Sequence, residues 1–274
     1  MTLEVRHLSK DFRLRNGLRS STLHAVADVS FTIEPRRTVA LVGESGSGKS
    51  TIARIIAKLE TPTSGDVLLD GRPTPARATA DYRRQVQMVF QDPFASLNPF
   101  HSISHHIERP LRIHHPELST AEVREQVVAL LERVHLDASY LERRPHELSG
   151  GQRQRVAIAR ALAPGARFVV ADEPVSMLDV SIRVGVLNLL ADLQRAEGLG
   201  VLYITHDLAT ARHFSDEILV MYRGRIVERG PADEVILNPQ HEYTQKLREA
   251  AADPDRLGQL RDEVRREMAE GGSA

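Results

Sequence analysis

The run GESGSGKST, Gly43 to Thr51, constrains the fold more than any other part of the chain. It follows the short apolar stretch TVALVGE, Thr38 to Glu44, whose Val and Leu content suits a strand buried on both faces of a parallel sheet. It leads into STIARIIAKL, where apolar residues recur at helical spacing. Strand, glycine-rich turn and helix start, in that order, are the context in which the pattern G-x-x-x-x-G-K-[ST] wraps its backbone N–H groups around a polyphosphate. Gly43, Gly46 and Gly48 let the backbone come close to the phosphates, and the helix N-terminus adds donors and positive potential. Lys49 is placed to reach the β and γ phosphates and Ser50 to ligate Mg²⁺, with Glu44, Ser45, Ser47 and Thr51 completing the loop. Four fixed positions match somewhere in a chain of this length by chance about one time in a hundred.

Composition narrows the remaining classes. At 274 residues the chain has length for one large domain or two small ones. A formal charge of −1 gives no global sign of a nucleic-acid or membrane-surface binder. The lack of cysteine excludes disulfides, thiolate nucleophiles and thiolate-held clusters, and fits a reducing interior. No basic and apolar leader marks a signal peptide, and nowhere do about eighteen apolar residues follow one another. These features point to a soluble, cytoplasmic chain whose membrane work, if any, falls to partners.

Along the chain, Leu3–Leu8 and His24–Ile33 read as strands with partial alternation, separated by a polar, basic loop over Arg13–Ser21. Gly65–Gly71 and Val86–Gln91 are further strands, the second stopped by Pro93. Helical spacing over Ser119–Leu136 and Gly151–Ala163 makes the middle of the chain a helical insertion in an α/β core. The α/β pattern resumes with a strand at Phe168–Pro174, a helix from about Ser181 to Arg195 and a strand at Val201–Asp207. Glu217–Gly230 reads as a hairpin turning near Arg223 and Gly224. Beyond Pro231 the chain is helical and increasingly charged, with a disordered end at Glu270–Ala274.

Four apolar residues run directly into Asp172 and Glu173, setting two carboxylates at the carboxyl end of a buried strand, where open parallel sheets bind ligands. Asp172 suits a Mg²⁺ held through water, and Glu173 suits polarisation of an attacking water. The competing reading of such a pair is an acidic helix cap. LSGGQRQR, Leu148–Arg155, opens a second helix with Ser149, Gly150 and Gly151 as an anion cradle. Here an ordinary capped helix with a basic solvated face is the alternative.

GESGSGKST, LSGGQRQR, VVADEP, SMLD and ITHD, in this order and spanning nearly the whole chain, resemble the ATP-binding cassette (ABC) ATPase family. The resemblance implies a P-loop NTPase core of RecA type, an antiparallel β-subdomain and a helical subdomain over about 92–163, within an ATPase domain of residues 1–250. Residues 251–274 are left as a charged helical extension. It implies ATP and Mg²⁺ as ligands, and a second cassette facing head to tail, so that Ser149 and Gly151 touch the γ-phosphate on the opposite subunit. Gln91 resembles the glutamine that senses Mg²⁺ and γ-phosphate, and His206 the switch histidine that helps organise the attacking water. Asp179 resembles the aspartate by which one subunit reads the other's site. Phe12 resembles the aromatic that stacks on adenine, with a packed strand-end residue as the competing reading. Met177 stands where the family usually has alanine.

VFQDPFASLNP (Val89–Pro99), DEPVSMLDVSI (Asp172–Ile182) and NPQHEYTQKL (Asn238–Leu247) resemble ATPase subunits of oligopeptide, dipeptide and nickel importers. That resemblance implies membrane permease partners docking near AlaSerLeuAsnPro, an extracytoplasmic solute-binding protein acting indirectly, no nucleic-acid partner, and a place on the cytoplasmic face of the membrane. The pairs His105–His106 and His114–His115 read as solvated surface. The alternative function is a soluble ABC-type ATPase that remodels nucleic acid or ribosomes, or an accessory subunit of a multienzyme complex such as phosphonate breakdown.

Overall fold

Thr38–Val42 is buried at all five positions, as a strand covered on both faces must be, and it delivers the chain directly to the glycine-rich turn. The computed structural model describes residues 2–16 and 19–251. In chain order the elements are β1 (Leu3–Asn16), β2 (Arg19–Ile33), β3 (Thr38–Val42), α1 (Lys49–Ile56), β4 (Ser64–Leu69), β5 (Arg72–Pro73), α2 (Ala80–Gln85), β6 (Val86–Val89), α3 (Pro93–Ser96) and α4 (Ile103–His114). They continue with α5 (Thr120–Arg133), α6 (Gly150–Leu162), β7 (Phe168–Asp172), α7 (Val180–Glu197), β8 (Gly200–Thr205), α8 (Leu208–Phe214), β9 (Glu217–Tyr222), β10 (Arg225–Pro231), α9 (Ala232–Leu237) and α10 (Glu242–Ala251). Two compact units result: unit 1 is Met1–Ala76 with Leu202–Ala274, and unit 2 is Arg77–Val201.

Unit 1 carries an antiparallel sheet in the order β2-β1-β4-β5. Its other strands follow the order β10-β9-β3-β8, with β3 parallel to β9 and β10 returning antiparallel. The partial alternation of the first two strands has a local cause. Leu3, Val5 and Leu8 are all buried although Leu8 breaks the period of two. His7 lies at φ 48 and the register shifts between Val5 and Leu8, so an extra residue resets which positions face the core. Asp28, at φ 57, does the same on β2 between Val26 and Val29. The loop expected over Arg13–Ser21 is not observed in the described part. The ladder runs on through Arg13↔Thr22, Leu14↔Ser21 and Asn16↔Arg19, because the pairing is made by backbone groups that every one of these residues carries. The hairpin expected at Arg223 and Gly224 is present, and both residues take positive φ, 48 and 77.

In unit 2, β6 and β7 pair in parallel from Val86↔Phe168 to Val89↔Ala171, and helices α3 to α6 lie between them in sequence. Two of these helices begin with reciprocal capping boxes, Ser119 with Glu122 for α5 and Ser149 with Gln152 for α6. Gly198 closes α7 in the left-handed conformation, its N–H donating to the Gln194 carbonyl. Among the described residues, no helix is long and apolar enough to cross a membrane. The extension expected over 251–274 lies, from residue 252 onward, outside the described residues.

Candidate nucleotide site

Unit 1 holds the phosphate loop between the end of β3 and the start of α1. Two of its glycines are required by contact. A Cβ on Gly43 would stand 2.2 Å from the Met221 carbonyl oxygen, and one on Gly48, at φ +107, would stand 2.2 Å from the Ala25 carbonyl oxygen. The loop is thus wedged between β2 and the end of β9. Ser45, Gly46 and Ser50 form an exposed rim, whereas Gly43, Glu44, Ser47 and Lys49 are buried and Thr51 is half-buried.

The Lys49 side chain is 4% exposed and its ammonium donates to the Gly43 carbonyl at 2.6 Å, the Glu44 carbonyl at 2.7 Å and the Ser47 hydroxyl at 3.4 Å. The cation is held inside the curve of the loop, not extended into solvent. Helix α1 has no acidic residue in its first turn, and no side chain caps it at Gly48. Its amides and dipole therefore present an uncontested positive end. Carbonyl-held ammonium, exposed hydroxyl rim and helix N-terminus together form a donor set that fits a polyphosphate.

Phe12 and His206 belong to the same unit. Phe12 is half-exposed on β1, opposite Leu23, and the Lys10 ammonium sits 4.9 Å from its ring centre. His206 follows the fully buried strand β8 and is half-buried itself, next to Asp207, which caps α8 through the Ala209 and Thr210 amides.

Unit 2 carries the carboxylates. Asp172 ends β7 and is buried. Glu173 follows at φ 46, a left-handed conformation that costs a residue with a side chain about 1–2 kcal/mol. Its carbonyl accepts from both the N–H and the hydroxyl of Ser176, closing a tight turn. Gln91 brings its Nε2 to 3.1 Å from Glu173 Oε2 and donates to it, so two residues 82 positions apart meet. The acidic-cap reading fails on this geometry, because the next helix, α7, starts at Val180 with Asp179 as its N-cap. Asp179 is exposed there and its side chain makes no capping bond.

The start of α6 lies against that same region. The Ser149 hydroxyl accepts from the Gln152 N–H at 3.3 Å, and Gln152 returns the bond to the Ser149 N–H at 2.9 Å, so the capped-helix reading holds for the acceptor side of the hydroxyl. A hydroxyl retains a donor when it accepts. A Cβ on Gly150 would lie 3.1 Å from Leu178, and one on Gly151 would lie 2.5 Å from Ile182. The two glycines therefore also serve packing, against residues on either side of Asp179. Gly151→Ala is expected to lower the melting temperature by a few degrees, from the roughly 1–3 kcal/mol that overpacking costs. Calorimetry that finds no shift would show that Ile182 yields freely.

One histidine reading needs correction. His106 is buried, its Nε2 3.0 Å from the Asn98 carbonyl, and burial holds its imidazole below the usual pKa range. Helix α4 turns His106 inward while His105 faces out and stacks on His101 at 4.0 Å. His115 likewise bonds the Pro164 carbonyl at 3.1 Å. No group of three or more candidate metal ligands occurs among the described residues. The segment expected to face a partner shows both characters: Leu97 is buried, while Asn98, Pro99 and Phe100 are exposed. Its backbone is held by Arg160, which donates to the Ser96 carbonyl.

Comparison with known proteins agrees with this arrangement. Residues 26–176 match the family described as ABC transporter. The oligopeptide transport ATP-binding protein OppF of Haemophilus influenzae is 45% identical over 263 residues, 93% of this chain and 79% of that protein. The dipeptide transport ATP-binding protein DppF of the same organism is 45% identical over 245 residues, 88% and 75% of the two chains. Among solved structures, the ATP-binding cassette MJ0796, a dimer in a post-hydrolysis state bound to ADP and Pi, matches with a TM-score of 0.73 at 31% identity, covering 84% of this chain and 98% of its own. CbiO1 from Clostridium perfringens, part of the ABC transporter complex cbiONQ, matches at 0.74 and 27% identity, covering 95% and 98%. Phosphate loop, paired carboxylates and these likenesses converge on one conclusion: the chain belongs to the ABC transporter family, with the fold of its ATP-binding cassettes and their ATPase activity.

Proposed function

We propose that this cassette powers the import of peptides or a related solute, working at the cytoplasmic face of the membrane with permease subunits, a second ATPase subunit and, indirectly, an extracytoplasmic solute-binding protein. The observation that carries the reading is the 45% identity that spans 93% of the chain to an oligopeptide transport subunit, extending well past the residues matched to the family as a whole. Residues 1–250 act as one cassette, with 92–163 as its helical subdomain.

ATP, the substrate, would supply a terminal phosphoryl group for transfer to water, and a Mg²⁺ held by Ser50, Asp172 and Gln91 would supply charge neutralisation there. The chain's part is to grip and to aim. Gly43 to Thr51 would cradle the phosphates, Lys49 would contribute the cation, Ser50, Asp172 and Gln91 would hold the metal, and Phe12 would cover adenine. Glu173 takes the proton of the attacking water, with Gln91 fixing its carboxylate through the 3.1 Å bond and His206 helping to orient the water. Ser149, Gly150, Gly151 and Asp179 serve the nucleotide of the facing subunit. Met177 and Val180, 56% and 75% exposed on either side of Asp179, supply an apolar surface suited to that seam.

Affinity purification of the tagged chain from detergent-solubilised membranes is expected to bring down polytopic permeases and a second cassette, identified by mass spectrometry. Recovery of soluble enzymes or ribosomes in their place would overturn the transport reading in favour of a soluble remodelling or accessory ATPase.

A further inference from the structure

The segment Asn238–Leu247 has no part in the chemistry above, yet its tyrosine reaches the phosphate loop. The Glu44 N–H donates to the Tyr243 hydroxyl at 3.1 Å, across 199 positions of sequence and out of contact with water. We infer that Tyr243 is a positioning residue for the nucleotide, holding the first turn of the phosphate loop in its binding shape from the C-terminal helix α10. The inference rests on the loop being the phosphate site proposed above.

Three features make the contact a device for orientation. The tyrosine is itself fixed: its ring stacks on Tyr222, the last residue of β9, with centroids 4.3 Å apart and planes at 29°. Its own N–H donates to His241 Nδ1, and the Glu228 carboxylate on β10 accepts from the Gln240 and His241 amides at 2.7 and 3.0 Å. The start of α10 is therefore pinned to the β9–β10 hairpin. That hairpin also grips the loop directly. The Met221 carbonyl fills the space where Gly43 would carry a side chain, and the Gly224 N–H donates to the Ser47 carbonyl at 3.1 Å. Hairpin and tyrosine thus fix residues 43, 44 and 47 from one side. The Gly43 and Glu44 carbonyls are the same groups that hold the Lys49 ammonium. A peptide plane at Glu44 that turned freely would move its own N–H and the Gly43 carbonyl together, since they share that plane. Tyr243 stops this rotation, and so keeps the Lys49 ammonium where a phosphate can meet it.

The hydroxyl is also chemically suited to the task. Burial, first of all, pushes its pKa upward, so it stays a neutral acceptor for the Glu44 amide throughout the physiological range.

Tyr243→Phe keeps the ring and its stack and removes only the acceptor. Titration of the full-length variant with a fluorescent ATP analogue is expected to give affinity about three- to tenfold weaker than wild type, the range that loss of one neutral hydrogen bond allows. Amide exchange at Glu44 in the nucleotide-free protein is expected to accelerate by a comparable or larger factor. A structural role alone would lower the melting temperature and leave affinity untouched, so wild-type affinity in Tyr243→Phe overturns the inference whatever its stability. Should that variant not fold, exchange in the wild-type protein decides: a Glu44 amide as fast as that of exposed Ser45 also overturns it. If the wild-type protein itself fails to bind the analogue, the phosphate-site reading fails, a result distinct from either.

Discussion

Glu173→Gln is expected to cut ATP turnover by about 10²- to 10⁴-fold while leaving nucleotide binding intact. The substitution preserves shape almost completely. A glutamine side-chain oxygen can still accept from Gln91 Nε2, so the contact now seen at 3.1 Å survives, and so does the turn closed by Ser176 on the residue 173 carbonyl. What disappears is the negative charge proposed to take a proton from water. A variant that binds but does not hydrolyse keeps its ATP, and two such cassettes are expected to remain closed on it. Size-exclusion chromatography with Mg·ATP is therefore expected to show a stable dimer for the variant and a monomer, or a transient dimer, for the wild type. Normal steady-state phosphate release from Glu173→Gln would remove Glu173 from the chemistry altogether.

The backbone at Glu173 adds a reason to expect a sharp effect. A left-handed conformation at a residue other than glycine is an uphill choice, maintained here by the Ser176 bonds and by the buried strand that precedes it. Glycine would occupy φ 46 more cheaply, as asparagine would to a lesser degree. Retaining a carboxylate there aims it, and aim matters to a proton acceptor more than to a surface charge.

What the sequence reveals of this divides along the range of the interactions involved. The phosphate loop is legible because strand, glycines, lysine and helix are contiguous, and each carries its own local signal. The hairpin at Arg223 and Gly224 is legible for the same reason. The continuation of β1 to Asn16 and of β2 from Arg19 is not, because polar residues in a ladder resemble a loop when only composition is seen. Gly150 and Gly151 show how a motif can hide a second cause: no pattern within LSGGQ announces that a Cβ there would crowd Leu178, in the turn before α7, or Ile182 on that helix. The burial of His106 is not legible, because adjacent histidines look equivalent in sequence, whereas α4 turns one toward the core. Tyr243 is the extreme case. Its partner is a backbone amide 199 residues away, and a backbone amide has no sequence signature at all.

Lys49→Ala is expected to weaken nucleotide binding by about ten- to a hundredfold, the range set by losing charge-assisted hydrogen bonds of roughly 1.5–3 kcal/mol. Two losses combine in this variant. One is the ammonium's attraction for the phosphates. The other is internal, since the same ammonium draws together the Gly43 and Glu44 carbonyls, and without it the Gly48 and Gly43 wedges, the Gly224 bond to the Ser47 carbonyl and the Tyr243 bond must define the loop's shape. Lys49→Met separates packing from charge, because it fills much of the buried volume with no donor. Methionine binding as weakly as alanine would place the effect in the charge, and methionine restoring affinity would place it in packing. Lys49→Arg is expected not to rescue either, since a planar guanidinium cannot direct donors to carbonyls on both sides within a site only 4% exposed. Titration of all three variants with a fluorescent ATP analogue reads these differences directly, and wild-type affinity in Lys49→Ala would contradict the role assigned to the loop.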